Sequence, residues 1–296
     1  MFYPHIAYDE PLFRPPSEAG SLIFQVTLGC SWNRCAFCEM YTSKSFRTKK
    51  EEDVFTEINA MQVYGTDIRK VFLADGNAFV LSFKRLSRIL ERLNETFPKL
   101  RRISAYALPK DILSKTDEEL RLLADKGLKL LYVGIETGDD ELLQLIDKGE
   151  THESTSQALI RARRAGIKLS VMILNGLGGR KYSEQHAINS ARIVNEIQPE
   201  YLSTLVLSFP YGVAHFKKRF GGDFEELTKM ELILEMGNFI SGLELESTVF
   251  RSDHASNYLV LKGILNHDKD KLLKRIAKVL EDPDHSKLRP EWLRGL

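Results

Sequence analysis

The chain has 296 residues, 42 Lys+Arg against 41 Asp+Glu, and a hydrophobic share of 43%. That share is ample for a globular core and excludes wholesale disorder, and a formal net charge of +1 argues against a bulk electrostatic binder of nucleic acid. No run approaches the ~18 uninterrupted apolar residues of a membrane span, and MFYPHIAYDE lacks the basic flank and apolar core of a secretory signal, so no membrane partner and a cytoplasmic, reducing compartment are expected.

The length fits either two domains of ~150 residues or one α/β barrel of ~200–250 residues. Residues 1–20 read as an N-terminal extension, with FRPPSEAGS an extended Pro-containing segment. A buried-strand run follows from Leu22 to Leu28, ended by Gly29. A basic stretch, Lys44 to Lys50, precedes a helix pattern from Glu51 to Tyr64. Apolar runs then recur at Lys70–Ala74, Arg102–Ala107, Leu130–Ile135, Lys168–Leu174 and Tyr201–Leu207. Helix patterns lie between them. They run over Phe83–Phe97, from Thr116 (a capping box with Glu119) to Gly127, over Asp139–Ile146, over Glu153–Ala165 and over Glu184–Ile197. Six strands alternating with helices predict the α/β class, a partial (β/α)6 barrel of parallel strands over residues 21–210. Residues 211–296 read as a helical and mixed extension, with a helix from Phe224 to Ile240 and a tail whose Trp292 is expected to anchor it by packing.

All three cysteines, Cys30, Cys35 and Cys38, fall within nine residues, in GCSWNRCAFC. Such crowding needs a shared reason, and one soft metal centre supplies it. Structural zinc wants four closed ligands, and no H-x₃₋₅-H pair is present to complete them. A plant-type ferredoxin cluster needs a fourth cysteine that the chain lacks. A four-iron cluster on three thiolates fits best and leaves one iron open for chemistry; a zinc-binding protein and unrelated core cysteines stay as alternatives. The loop follows the first strand, where barrels place catalytic groups.

The cysteine triplet, with aromatic Phe37 between its last two members, resembles the radical S-adenosylmethionine superfamily. The segments VFLADGNAF, YVGIETGDDELLQLIDKG and RSDHASNYLVLKG resemble relatives of oxygen-independent coproporphyrinogen III oxidase and of the Elp-type radical enzymes. The resemblance implies a partial barrel holding a [4Fe-4S] cluster whose open iron binds S-adenosylmethionine. One-electron reduction then yields methionine and a 5′-deoxyadenosyl radical that takes hydrogen from a small or medium organic substrate. It implies a low-potential donor, a flavodoxin or ferredoxin. The family spacing is Cys-x₃-Cys-x₂-Cys; this chain has one residue more in the first gap.

The resemblance also assigns roles. Asp75-Gly76-Asn77 stands where relatives receive the cofactor's ammonium, although the same tripeptide makes an ordinary turn. Glu136 falls at the ribose position, Lys148 where an Arg often meets the cofactor carboxylate, and Tyr106 at the barrel mouth. Asn175 and Gly176 fall near the adenine. A helix-start carboxylate, a surface lysine and a packed aromatic are the bland alternatives for Glu136, Lys148 and Tyr106. Arg47 is a candidate for a substrate carboxylate or phosphate, against a solvated basic loop. His254, Asn257 and Tyr258 are candidates for substrate contact, His254 and Tyr258 as catalytic groups, against a structural turn. An iron–sulfur electron-transfer or scaffold protein is the competing reading that keeps the cluster without radical chemistry.

Overall fold

The computed structural model describes residues 6–295; the start of the expected N-terminal extension, residues 1–5, and residue 296 lie outside them. In chain order the elements are β1 (Leu22–Gln25), β2 (Thr27–Leu28), β3 (Arg47–Thr48), α1 (Glu51–Ala60), β4 (Lys70–Ala74), α2 (Phe83–Thr96), β5 (Arg102–Tyr106), α3 (Pro109–Leu113), α4 (Asp117–Asp125) and β6 (Leu128–Glu136). There follow α5 (Asp140–Leu145), α6 (His152–Arg164), β7 (Lys168–Asn175), α7 (Gly179–Ile197), β8 (Tyr201–Val206), α8 (Val213–Arg219), α9 (Lys229–Ser241), β9 (Thr248–Arg251), β10 (Lys262–Leu265) and α10 (Lys269–Glu281). The class is α/β, with a mostly parallel sheet of eight strands. The six strands expected from the apolar runs are β1, β4, β5, β6, β7 and β8.

Packing divides the chain into two units. The first takes the chain through Asn33, Cys38–Val133 and Gln157–Leu169; the second takes Arg34–Phe37, Gly134–Ser156 and the chain from Ser170. In the first, β1 pairs with β4, β4 with β5 and β5 with β6, all parallel, in the register Leu22↔Val71, Val71↔Ile103 and Ala105↔Leu131. One face of these strands buries Phe24, Leu73, Ile103 and Leu131 completely. The other gathers Phe72, Tyr106 and Tyr132 edge to face, with ring centroids 5.2 to 6.1 Å apart. The Leu22–Leu28 run is not one strand. It breaks at Val26, and Thr27–Leu28 turns away to pair antiparallel with Thr48 and Arg47.

In the second unit β7, β8 and β9 run parallel and β10 pairs antiparallel with β9. In the sequence these last two strands show only as part of a mixed segment, because four residues each give too short a pattern to register. A buried aromatic cluster of Phe216, Phe220 and Phe224 packs with Leu142, Leu177 and Tyr182. Tyr182 fastens the first turn of α7, which therefore starts five residues before the expected Glu184. α9 starts at Lys229 instead of Phe224, because Thr228 and Glu231 form a capping box there. Trp292 does not anchor the tail: it is 80% exposed. Arg289 and Arg294 do so instead, donating to the carbonyls of His254, Asn257 and Ser256 at 2.6 to 2.8 Å.

The expected capping box at Thr116 is present. Its hydroxyl accepts from the Glu119 amide at 3.1 Å, and the Glu119 carboxylate accepts from the Thr116 amide at 2.8 Å. Thr116→Ala is expected to lower unfolding free energy by about 1 kcal/mol, measured by denaturant titration.

Candidate active site

The cysteine loop leaves β2 at Gly29. All three cysteines are reduced thiols, each half-buried. Among the described residues no three His, Cys, Asp or Glu side chains are gathered into a group that could hold a metal ion. The loop backbone, by contrast, is fixed at several points. The Gly29 amide donates to Asp75 Oδ2 at 2.9 Å. The Ala36 amide donates to the Ile146 carbonyl at 2.8 Å, and Arg219 donates to the Cys35 carbonyl at 2.8 Å.

In the first unit, Asp75 follows β4 and has no exposed surface. Its Oδ2 also accepts from Lys44 Nζ at 3.0 Å, and Lys44 is itself buried. Burial pushes the Asp75 carboxyl up from its ordinary value, against the opposing pull of the Gly29 amide and the Lys44 ammonium. Its second oxygen, Oδ1, has no partner, and neither does Asn77 Oδ1. The Asn77 amide nitrogen is spent on Ser31 Oγ (2.8 Å) and on the Asp111 carboxylate. Between them Gly76 lies flush against the loop. A Cβ there would stand 2.8 Å from Cys30 Cβ and 2.9 Å from Cys30 Cα, so only glycine lets the two backbones meet.

In the second unit, Glu136 ends β6 with a φ of 68°, a left-handed conformation that glutamate rarely adopts. The turn folds its carboxylate back over Gly134, where a Cβ would fall 2.0 Å from Oε1. Lys148 Nζ bonds that Oε1 at 3.1 Å and stands 5.6 Å from the centre of the Phe37 ring. Oε2, though buried, has no partner. At the end of β7, Asn175 Nδ2 is likewise buried and unpartnered. The Gly176 amide beyond it donates at 2.6 Å to Glu235, a carboxylate buried on α9. The buried polar atoms without a partner thus include Asp75 Oδ1 and Asn77 Oδ1 after β4 in the first unit, and Glu136 Oε2 and Asn175 Nδ2 at the ends of β6 and β7 in the second. Each costs about 1–3 kcal/mol unless a ligand or water completes it.

A sequence model of the Radical SAM superfamily matches residues 24–192. This chain belongs to that superfamily. The heme chaperone HemW of Bacillus subtilis is 23% identical over 166 residues, which is 53% of this chain and 43% of HemW. An uncharacterised methyltransferase of Pyrococcus horikoshii is 20% identical over 258 residues, covering 83% of this chain and 54% of the relative. This chain therefore spans about half, or less, of the length of these relatives. Among solved structures, coproporphyrinogen III oxidase (HemN) of Escherichia coli aligns over 75% of this chain and 52% of its own, at 18% identity and a TM-score of 0.56. Methylornithine synthase (PylB) aligns over 91% and 74%, at 16% identity and a TM-score of 0.53. At these identities the structures establish a shared radical SAM fold.

The remaining sequence-predicted residues fall as follows. Tyr106 ends β5 half-buried in the Phe72–Tyr132 aromatic group, and burial raises its hydroxyl pKa. Arg47 is exposed on β3 and paired with Asp9 at 2.7 Å. His254, Asn257 and Tyr258 lie on one segment of the second unit, held by Arg289 and Arg294. His254 Nδ1 is 2.9 Å from Ser256 Oγ, and burial and Arg289 hold its pKa below the ordinary value. Asn257 is buried, donates to the Thr204 carbonyl at 2.8 Å and keeps Oδ1 unpartnered. Tyr258 donates to Glu291 at 2.7 Å. Sequence reasoning missed Lys44, Asp111 and Glu235, whose partners are distant in the chain, and Gly134, which stands out only because the turn at Glu136 folds that carboxylate back over it.

His186, fully enclosed on α7, has Nδ1 2.8 Å from Thr137 Oγ1, next to Glu136. Burial lowers its pKa, against the opposing pull of Glu235 and Asp139. The unfolded chain therefore binds a proton at His186 that the folded chain refuses. Its contribution is present above the unfolded value of about 6.5 and is lost as pH falls through the folded value. The unfolding free energy of His186→Gln should fall less steeply than that of the parent between about pH 7 and pH 5, measured in denaturant. Gly76→Ala should cost about 1–3 kcal/mol by overpacking against Cys30; a variant as stable as the parent in the same measurement refutes the close approach.

Proposed function

We propose that this chain is a radical S-adenosylmethionine enzyme whose cluster is held by Cys30, Cys35 and Cys38. The observation that carries the reading is the confinement of every cysteine to nine residues after the first strands, inside the region that matches the superfamily. The superfamily works with a [4Fe-4S] cluster and S-adenosylmethionine. Three half-buried thiols on one loop supply the soft donors that such a cluster takes, although among the described residues they are not gathered into one group. When bound, the cluster supplies the electron that splits the sulfonium to methionine and a 5′-deoxyadenosyl radical, which takes hydrogen from an organic substrate.

The chain's own residues then bind and orient. Asp75 and Asn77 offer an acceptor oxygen each to an ammonium group, with Lys44 and the Gly29 amide holding the other Asp75 oxygen. Glu136 offers Oε2 to ribose hydroxyls while Lys148 steadies Oε1 and supplies positive charge for a carboxylate. Asn175 offers a donor and Gly176 a close backbone near the adenine. Phe37 and Tyr106 give apolar walls. On the substrate side His254 is a neutral proton acceptor at pH 7, Tyr258 and Asn257 are polar contacts, and Arg47 is an anion partner. A low-potential flavodoxin or ferredoxin is the electron donor this chemistry requires. The relatives bear the names of a heme chaperone, a methyltransferase and an oxidase, so no single substrate carries over.

Anaerobic reconstitution should give a brown protein with iron and sulfide in equal amounts. S-adenosylmethionine should alter the electron paramagnetic resonance spectrum of the reduced cluster, and dithionite should then release 5′-deoxyadenosine. Cys35→Ala should abolish cluster assembly. Zinc alone, one per chain, would replace this reading with a zinc protein. A cluster indifferent to the cofactor would replace it with an electron-transfer or scaffold protein.

A further inference from the structure

The second unit contains a cavity of about 330 Å³ beyond the ends of β7 and β8. This lies at the small end of the range for organic-ligand sites. Its apolar wall includes Phe209 and Phe224, whose rings meet edge to face at 6.0 Å, and Leu232. Its charged wall is Glu226, Glu291 and Arg294, beside the Tyr258 hydroxyl.

These charges are unequally committed. Arg294 lies 4.1 Å over the Tyr258 ring, donates from Nε to the Ser256 carbonyl at 2.8 Å, and donates from Nη1 to Tyr258 Oη and Glu291 Oε1, both at 2.5 Å. Glu291 Oε2 accepts from Tyr258 at 2.7 Å. Arg294 and Glu291 thus neutralise each other within one hydrogen-bonded group. Glu226, among the described residues, has neither an ion-pair nor a hydrogen-bond partner. Burial chiefly, with Glu291 and lastly Glu226 adding to it, raises the Tyr258 hydroxyl to about 12. An anion entering here would meet one unanswered carboxylate and an arginine already engaged. A cation would meet that carboxylate beside a wall of aromatic and aliphatic side chains.

We infer that this cavity binds a small organic amine, a protonated nitrogen on an apolar body of about one ring, with Glu226 as its counter-ion. Taken as the substrate end of the enzyme, the inference rests on the function proposed above; as a binding site it stands on the cavity alone. Phe209 and Phe224 receive the apolar body, and the Arg294–Glu291–Tyr258 group forms a fixed polar rim.

The test is calorimetric titration of the anaerobically reconstituted full-length chain with 2-phenylethylamine, 2-phenylethanol and 3-phenylpropionate, with iron measured on the same samples. The amine should bind about tenfold or more tighter than the alcohol, the carboxylate weakest, and added salt should narrow the gap. Glu226→Gln should weaken the amine about tenfold and leave the alcohol unchanged; Glu226→Asp should retain the preference. Because Glu226 is exposed, both variants should melt like the parent. Carboxylate binding as tight as amine binding, an amine affinity unmoved by Glu226→Gln, or no saturable binding of any probe overturns the inference. Amine binding to a chain that takes up no iron keeps the pocket and overturns the enzyme reading; an iron-loaded chain without amine preference does the reverse.

Discussion

Asp75 is a carboxylate shut away from water, and a buried charge persists only where the fold supplies it with partners. One of its oxygens takes the amide that launches the cysteine loop and the ammonium of Lys44. The beginning of that loop is therefore fastened to the end of β4 by the needs of a single side chain. Lys44 in turn donates to the Asp9 carbonyl at 2.6 Å, and the Asp9 carboxylate holds Arg47. The basic stretch after the cysteines is thus partly an internal structural member, with Lys44 buried and Arg47 at the surface. A lysine enclosed beside an acid looks like any other lysine in a sequence.

What could be read in advance follows the range of the interactions. Strands β4 to β8 announce themselves as apolar runs, and the box at Thr116 needs only four consecutive residues. The Cys30–Cys38 crowding is also local. The partnerships of Asp75 with Lys44, Asn77 with Asp111 and Gly176 with Glu235 span 31, 34 and 59 positions. Nothing in either partner's neighbourhood advertises them. The misjudged Trp292 makes the same point from the other side. Its size suggested an anchor, yet the tail is tied by two arginines reaching backbone carbonyls, while the indole remains outside.

The two units spend their unusual chemistry in similar ways. Each brings a carboxylate to a strand end, satisfies one oxygen with a lysine and leaves the other without a partner. Lys44 does this for Asp75, and Lys148 for Glu136. A carboxylate anchored on one side keeps its orientation and can still accept a ligand's hydrogen bond without a large entropic cost of ordering. Membership of the radical SAM superfamily accounts for the fold. It does not choose among reactions.

The carboxylate of Glu136 occupies the volume that any side chain at position 134 would need. Filling that gap would displace the tip of a flexible acid and not the backbone, so its first consequence would be the loss of the Lys148 contact that orients the carboxylate. The bareness of position 134 is in this sense part of how the acid two residues on is aimed.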